Sequence, residues 1–118
     1  MKKDKIKCLF GDDKSARVVV KKGFVDELLI DCRPVLIGFY ETKKGWVSVD
    51  IVTGMSLLIG SETVEQSREK TKSLLLQRGY RRFKACRKKA KQVYQSVYES
   101  EEWLSGKGNS KDSKSVNG

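Results

Sequence analysis

Seven basic side chains fall within eleven residues: Arg81, Arg82, Lys84, Arg87, Lys88, Lys89 and Lys91. Fixed positive charge at that density is suited to neutralising an anion. Guanidinium and ammonium groups one helical turn apart match the repeating phosphates of a nucleic acid. Contacts of that kind hold a backbone without reading bases. The wider segment from Arg68 to Lys91 carries eleven Lys and Arg against the single carboxylate of Glu69, which accounts for the whole formal charge of +10. The first sixty residues hold eleven basic and eight acidic side chains, a nearly balanced surface by comparison.

Other chemistries find little support. There is no histidine, so a serine or cysteine nucleophile lacks its usual base. The carboxylates occur as Asp12-Asp13, Asp26-Glu27, Glu41, Asp50 and a late group of Glu99, Glu101 and Glu102, in no acid/base, metal-binding or phosphate-cradling motif. Cys8, Cys32 and Cys86 are widely spaced, form no Cys-x-x-Cys pair and have no histidine to complete a zinc site. They are expected to be reduced core thiols. The reading is a non-enzymatic binding protein with no catalytic residue, no metal and no cofactor. The longest apolar runs, Val35 to Tyr40 and Met55 to Ile59, fall far short of the ~20 residues that a bilayer crossing needs. The opening MKKDKIKCLFGDD lacks the apolar stretch of a signal peptide, so a cytoplasmic location is expected.

The elements that must carry the basic run follow from periodicity. Alternating Val35, Ile37, Phe39, then Val47, Val49, Ile51, then Met55, Leu57, Ile59 predict three strands of an antiparallel meander. Thr42-Lys43-Lys44-Gly45 suits the first turn and Thr53-Gly54 a tight second one. Lys5 to Phe10 and Ala16 to Lys22 look like further strands, with Gly23 as a break. Phe24 to Ile30 fits strand or short helix, and Pro34 suits the start of the meander. From 62 to 78 the pattern becomes helical, with Thr63-x-x-Gln66 as a capping box, Val64, Thr71, Leu74 and Leu75 toward the sheet, and Gly79 as the stop. A second helix over 80 to 104 places Phe83, Cys86, Ala90, Val93, Val97 and Leu104 on one stripe, with Arg81, Lys84, Lys88 and Lys91 opposite and Arg82, Arg87 and Lys89 beside them. The expected fold class is α+β, an antiparallel sheet of about four to six strands packed on one face by two C-terminal helices. It forms one domain over 1–105, followed by a disordered tail over 106–118, where only Val116 is aliphatic.

A charged helix face is ordinarily just a solvated surface. Here Arg81 and Arg82 would open the second helix and Glu101 and Glu102 would close it, each opposing the macrodipole by ~0.3–1 kcal/mol. An external anion, or an acidic surface meeting the basic end, would explain that order. Two copies laid antiparallel would also satisfy it, so a homodimer is an alternative. Tyr80, Phe83 and Tyr94 have the spacing of core residues rather than base-stacking platforms, and Trp46 and Trp103 are expected to pack.

From Pro34 to Gly79 the order strand, strand, strand, helix resembles the second half of a double-stranded RNA-binding domain, with WVSVDIVTGMSLLIGSETVEQSREKTKSLLL at its last two strands and helix. The resemblance implies RNA or a ribonucleoprotein as partner. No binding residue carries over, because the family's helix opens with lysines where this one reads Ser61-Glu62-Thr63-Val64-Glu65. In size, charge and lack of motifs the chain also looks like the small accessory proteins of phages and mobile elements, some of which inhibit host CRISPR nucleases. That implies a protein-binding inhibitor as the alternative function.

Overall fold

The structure, a computed structural model, describes residues 1–12 and 14–105, so the tail expected over 106–118 lies outside the described residues. Five strands follow one another in an antiparallel meander: β1 (Lys2–Phe10), β2 (Arg17–Ile30), β3 (Arg33–Thr42), β4 (Gly45–Asp50) and β5 (Ser56–Ser61). Four helices follow: α1 (Val64–Arg78), α2 (Tyr80–Val93), α3 (Gln95–Tyr98) and α4 (Glu101–Ser105). The α+β class and the consecutive strand order are as the alternating pattern predicts. The segment 24–30 is strand.

β2 is longer than the pattern suggests, because Gly23 bends it rather than breaking it. Its first part pairs with β1, from Arg17 opposite Phe10 to Val25 opposite Lys2, and its second part pairs with β3, from Phe24 opposite Phe39 to Ile30 opposite Arg33. Where the halves meet, a Cβ on Gly23 would stand 2.0 Å from the Phe39 carbonyl oxygen, so only glycine permits the crossing. The bend folds the β1–β2 hairpin across the sheet. Ile6 and Cys8 thereby pack against Tyr40, Val47 and Val49, with Phe10, Val25 and Ile51 at the margin. Gly38 makes room, since a Cβ there would lie 2.8 Å from Ile51 Cδ1 and 3.0 Å from Ile6 Cδ1. The curl brings the outer edge of β1 to the β4–β5 loop, where the Leu9 N–H donates to the Gly54 carbonyl at 2.8 Å.

The helices cover the other face. Leu28, Ile30, Val35, Ile37 and Phe39 of the sheet meet Leu75 of α1 and Phe83 of α2. At ~1.5–3 kcal/mol for each fully buried large apolar side chain, the two layers contribute on a similar scale. Thr63 caps α1 by accepting from the Gln66 N–H at 3.0 Å, while the Gln66 amide oxygen accepts from the Glu62 N–H at 2.8 Å. That is the expected capping box, shifted back by one residue on its return bond. Ser67, Thr71 and Leu75 are buried on the sheet side, and the Thr71 hydroxyl donates to the Ser48 hydroxyl at 2.7 Å. Gly79, at φ +88°, ends the helix with its N–H on the Leu75 carbonyl.

The structure corrects three expectations. The second helix is not one rod from 80 to 104. It stops at Val93, where Val93, Tyr94, Ser96 and Val97 form a run of weak helix formers, and resumes in two short pieces. Its apolar stripe is therefore not all covered, and Val93 and Leu104 are exposed. The β4–β5 connection is longer than a two-residue turn, spanning residues 51–55, because Asp50 organises it: the carboxylate accepts from the Val52 N–H and the Thr53 hydroxyl, and the backbone carbonyl accepts from the Gly54 N–H. Of the three thiols only Cys8 is buried. Cys32 sits in a turn and Cys86 on uncovered helix surface.

Candidate functional site

α2 begins without a side-chain cap of its own. Instead, Asp31 reaches in from the β2–β3 turn and accepts a hydrogen bond from the Tyr80 N–H at 2.7 Å, while the Arg33 guanidinium lies over the Tyr80 ring, 4.9 Å from its centroid. A carboxylate thus stands at the positive end of the helix and offsets the basic first turn. To present it, the two turn residues Asp31 and Cys32 adopt φ +52° and +65°. At the far end, Glu101 and Glu102 occupy the first turn of α4 rather than the last turn of α2, and Ser100 caps that new helix by accepting from the Trp103 N–H at 3.4 Å. Both charges expected to oppose a macrodipole are answered inside the molecule, so helix polarity gives no argument for an outside partner. The break also removes the straight rod on which an antiparallel homodimer was built.

The seven basic residues of α2 do not form one surface. Arg87 turns inward: its Nε and one terminal nitrogen donate to Asp50 at 3.0 and 2.8 Å, and its guanidinium centre lies 4.4 Å from the Phe83 centroid. Asp50 is almost fully buried, so Arg87 holds the β4–β5 loop and is not available to a ligand. Arg82 turns to the flank of the helix and lines a groove against the β4–β5 loop. Lys89 is exposed about a third of a turn away from the main stripe. Arg81, Lys84, Lys88 and Lys91 remain, all exposed. At 3.6 residues per turn they fall within an arc of about 80° and span about 15 Å along the axis.

These four cations are uncompensated. Among the described residues the ion pairs are Arg68 with Asp26, Arg68 with Glu69, and Arg87 with Asp50, and no hydrogen bond engages Arg81, Lys84, Lys88 or Lys91. Arg68 shows what a partnered cation here looks like. Burial pushes the Asp26 carboxyl up, but hydrogen bonds from Arg68 and from the Glu27 N–H outweigh it and hold Asp26 below its ordinary value.

The aromatic residues near the stripe are occupied. Phe83 is buried, Tyr80 is half-buried against the core, and Tyr94 is half-buried. Trp46 is half-buried, with its ring 6.1 Å from that of Phe24. Trp103 is buried and accepts a hydrogen bond from Lys7 Nζ through its carbonyl oxygen at 2.8 Å. Asp31 and Arg78 were not legible as site residues, since a helix cap from 49 positions away and a groove built by two helices, two strands and the β4–β5 loop leave no local signal. Among the described residues no cluster of His, Cys, Asp or Glu is placed to hold a metal, and no helix is long and apolar enough to cross a membrane.

Comparison with known proteins places no family beside this geometry. No protein-family profile matches the chain, and neither a curated protein nor a solved structure matches it significantly. The likeness to a double-stranded RNA-binding domain is confined to β3, β4, β5 and α1. Upstream of them lie the two strands of the folded-over hairpin.

Proposed function

We infer that the protein is a non-enzymatic binding protein that contacts the phosphates of a nucleic acid through Arg81, Lys84, Lys88 and Lys91. One observation carries this reading: four basic side chains share one exposed face of a single helix, and none has an anionic partner among the described residues. A solvated face that served only solubility would ordinarily interleave both signs. Phe83 and the Asp31 cap fix α2 on the sheet, so the stripe is presented with no backbone ordering left to do at binding.

With four phosphates neutralised, the affinity for single- or double-stranded oligonucleotides should fall with salt at a log-log slope near −3, from ~0.7–0.9 per phosphate. Fluorescence anisotropy over a salt series measures it. Reversing Lys84, Lys88 and Lys91 to glutamate should remove binding and leave the fold intact, because all three are exposed. Lys2, Lys3 and Lys5 to glutamate should change it little. Equal binding by the first triple variant, or no binding of RNA or DNA by the parent at low salt, refutes the reading.

A further inference from the structure

On the flank of α2 turned away from the basic stripe, a groove of about 190 Å³ runs between the helix and the β4–β5 loop. We propose that it is a docking site for a protein partner, and that the segment it takes is an acidic peptide carrying one large apolar anchor side chain.

The lining sets the chemistry of the anchor. Met55, Leu57, Leu75, Phe83, Cys86 and Ala90 supply the apolar wall. Apart from the two arginines at its rim, the polar side chains Asp50 and Thr53 of the wall are already engaged. Asp50 accepts from Arg87, from the Val52 N–H and from the Thr53 hydroxyl, and the Thr53 hydroxyl oxygen accepts from the Met55 N–H. Between the two rim arginines the wall offers few free hydrogen-bonding groups, which suits an aliphatic or aromatic side chain. The volume points the same way. It is below the ~300 Å³ at which sites for whole small molecules begin, and it fits the single buried anchor around which peptide interfaces are built.

Charge sets the flanks. Arg78, from the last turn of α1, and Arg82 of α2 both border the groove, both are exposed, and neither has a hydrogen bond or ion pair among the described residues. Carboxylates on either side of the anchor would meet them bidentately. Arg87, spent on Asp50, keeps the wall rigid instead of joining them.

The test is selection of a random twelve-residue peptide library, displayed on phage, against the full chain. The recovered peptides should share one Leu, Ile, Phe, Tyr or Trp flanked by Asp or Glu. A synthetic peptide of the recovered sequence should bind at least tenfold more weakly to the Arg78→Glu/Arg82→Glu variant and to Ala90→Trp, which fills the groove, with melting curves confirming that both fold. It should bind the Lys84→Glu/Lys88→Glu/Lys91→Glu variant as well as the parent. In a Cys32→Ser background the same peptide should slow modification of Cys86 by a thiol reagent, Cys8 being buried. Recovery of neutral or basic peptides, no enrichment above the unselected library, or binding unchanged in both groove variants overturns the proposal. So does an oligonucleotide that protects Cys86 through Arg78 and Arg82, which would assign the groove to nucleic acid.

Discussion

Arg87→Met isolates the one cation of the basic run that the structure takes out of solvent. The side chains of Asp50 and Arg87 are 3% and 17% exposed, so losing the guanidinium leaves a carboxylate with almost no access to water. Removing one partner of a buried pair costs ~3–5 kcal/mol. Asp50 keeps the Val52 N–H and the Thr53 hydroxyl, which holds the expected loss to the lower end, about 3 kcal/mol. Methionine keeps an apolar side chain of similar reach but loses the guanidinium that lies 4.4 Å from the Phe83 centroid, so the measured loss includes that contact. For a domain of this size each kcal/mol moves Tm by roughly 4–6 °C, which predicts a fall of roughly 12–18 °C. Neutralising the orphan with Asp50→Asn in the same chain should restore part of it. Lys88→Glu, one residue along the helix, should shift stability by no more than ~0.5 kcal/mol. Thermal melts and urea titrations of the four proteins measure these differences. An Arg87→Met protein as stable as the parent, whose oligonucleotide salt slope drops by about one phosphate, would return Arg87 to the binding surface and refute the assignment.

Cys32→Gly should raise stability by ~1 kcal/mol, because residue 32 holds a left-handed conformation that glycine adopts without strain and Asp-Gly is a favoured sequence for a two-residue hairpin turn; urea midpoints report it. Gly23→Ala should do the reverse, costing several kcal/mol or preventing folding, since the added methyl meets the Phe39 carbonyl; circular dichroism and expression yield distinguish these outcomes. In alkali, burial pushes the Cys8 thiol and the Tyr40 and Tyr98 phenols up to about 12, from ordinary values of 9.0 and 10.0. The unfolded chain releases these protons first. Stability conferred by the neutral groups is therefore intact below pH 9 and declines as pH rises from 9 toward 12, which melts under reducing conditions should show. A flat profile across that range would contradict the buried placement of Cys8.

The strands were legible where apolar residues alternate along one face, even though the other face of β3 is also covered at Gly38 and Tyr40. Val35, Ile37 and Phe39 alternate strictly because their opposite face holds Gly38 and Tyr40, and the helix caps at Thr63 and Gly79 are local chemistry that needs no tertiary knowledge. The fold of the β1–β2 hairpin was not legible. Gly23 looks the same whether it ends a strand or lets two backbones cross, and only the position of Phe39 decides. The basic run was visible as composition, but its division was not. Arg87 and Lys88 are adjacent cations that differ in side chain and phase, but neither difference tells which turns inward, because that depends on a carboxylate 37 residues earlier. The break after Val93 shows the weakness of spacing alone, for the apolar periodicity continues through a region where the helix is interrupted and resumes in short pieces.

Every strand pairing joins neighbours in the chain, so the sheet can zip up hairpin by hairpin as the polypeptide emerges from the ribosome. The contact of Lys7 with the Trp103 carbonyl is of another kind, spanning 96 positions. Until α4 has been synthesised, β1 lacks that fastening, although it already carries Ile6 and Cys8, two of the five buried residues of the inner layer. A ribosome stalled before residue 103 would therefore display a sheet whose first strand is tied to the β4–β5 loop through Leu9 and Gly54 but still lacks the Lys7 fastening.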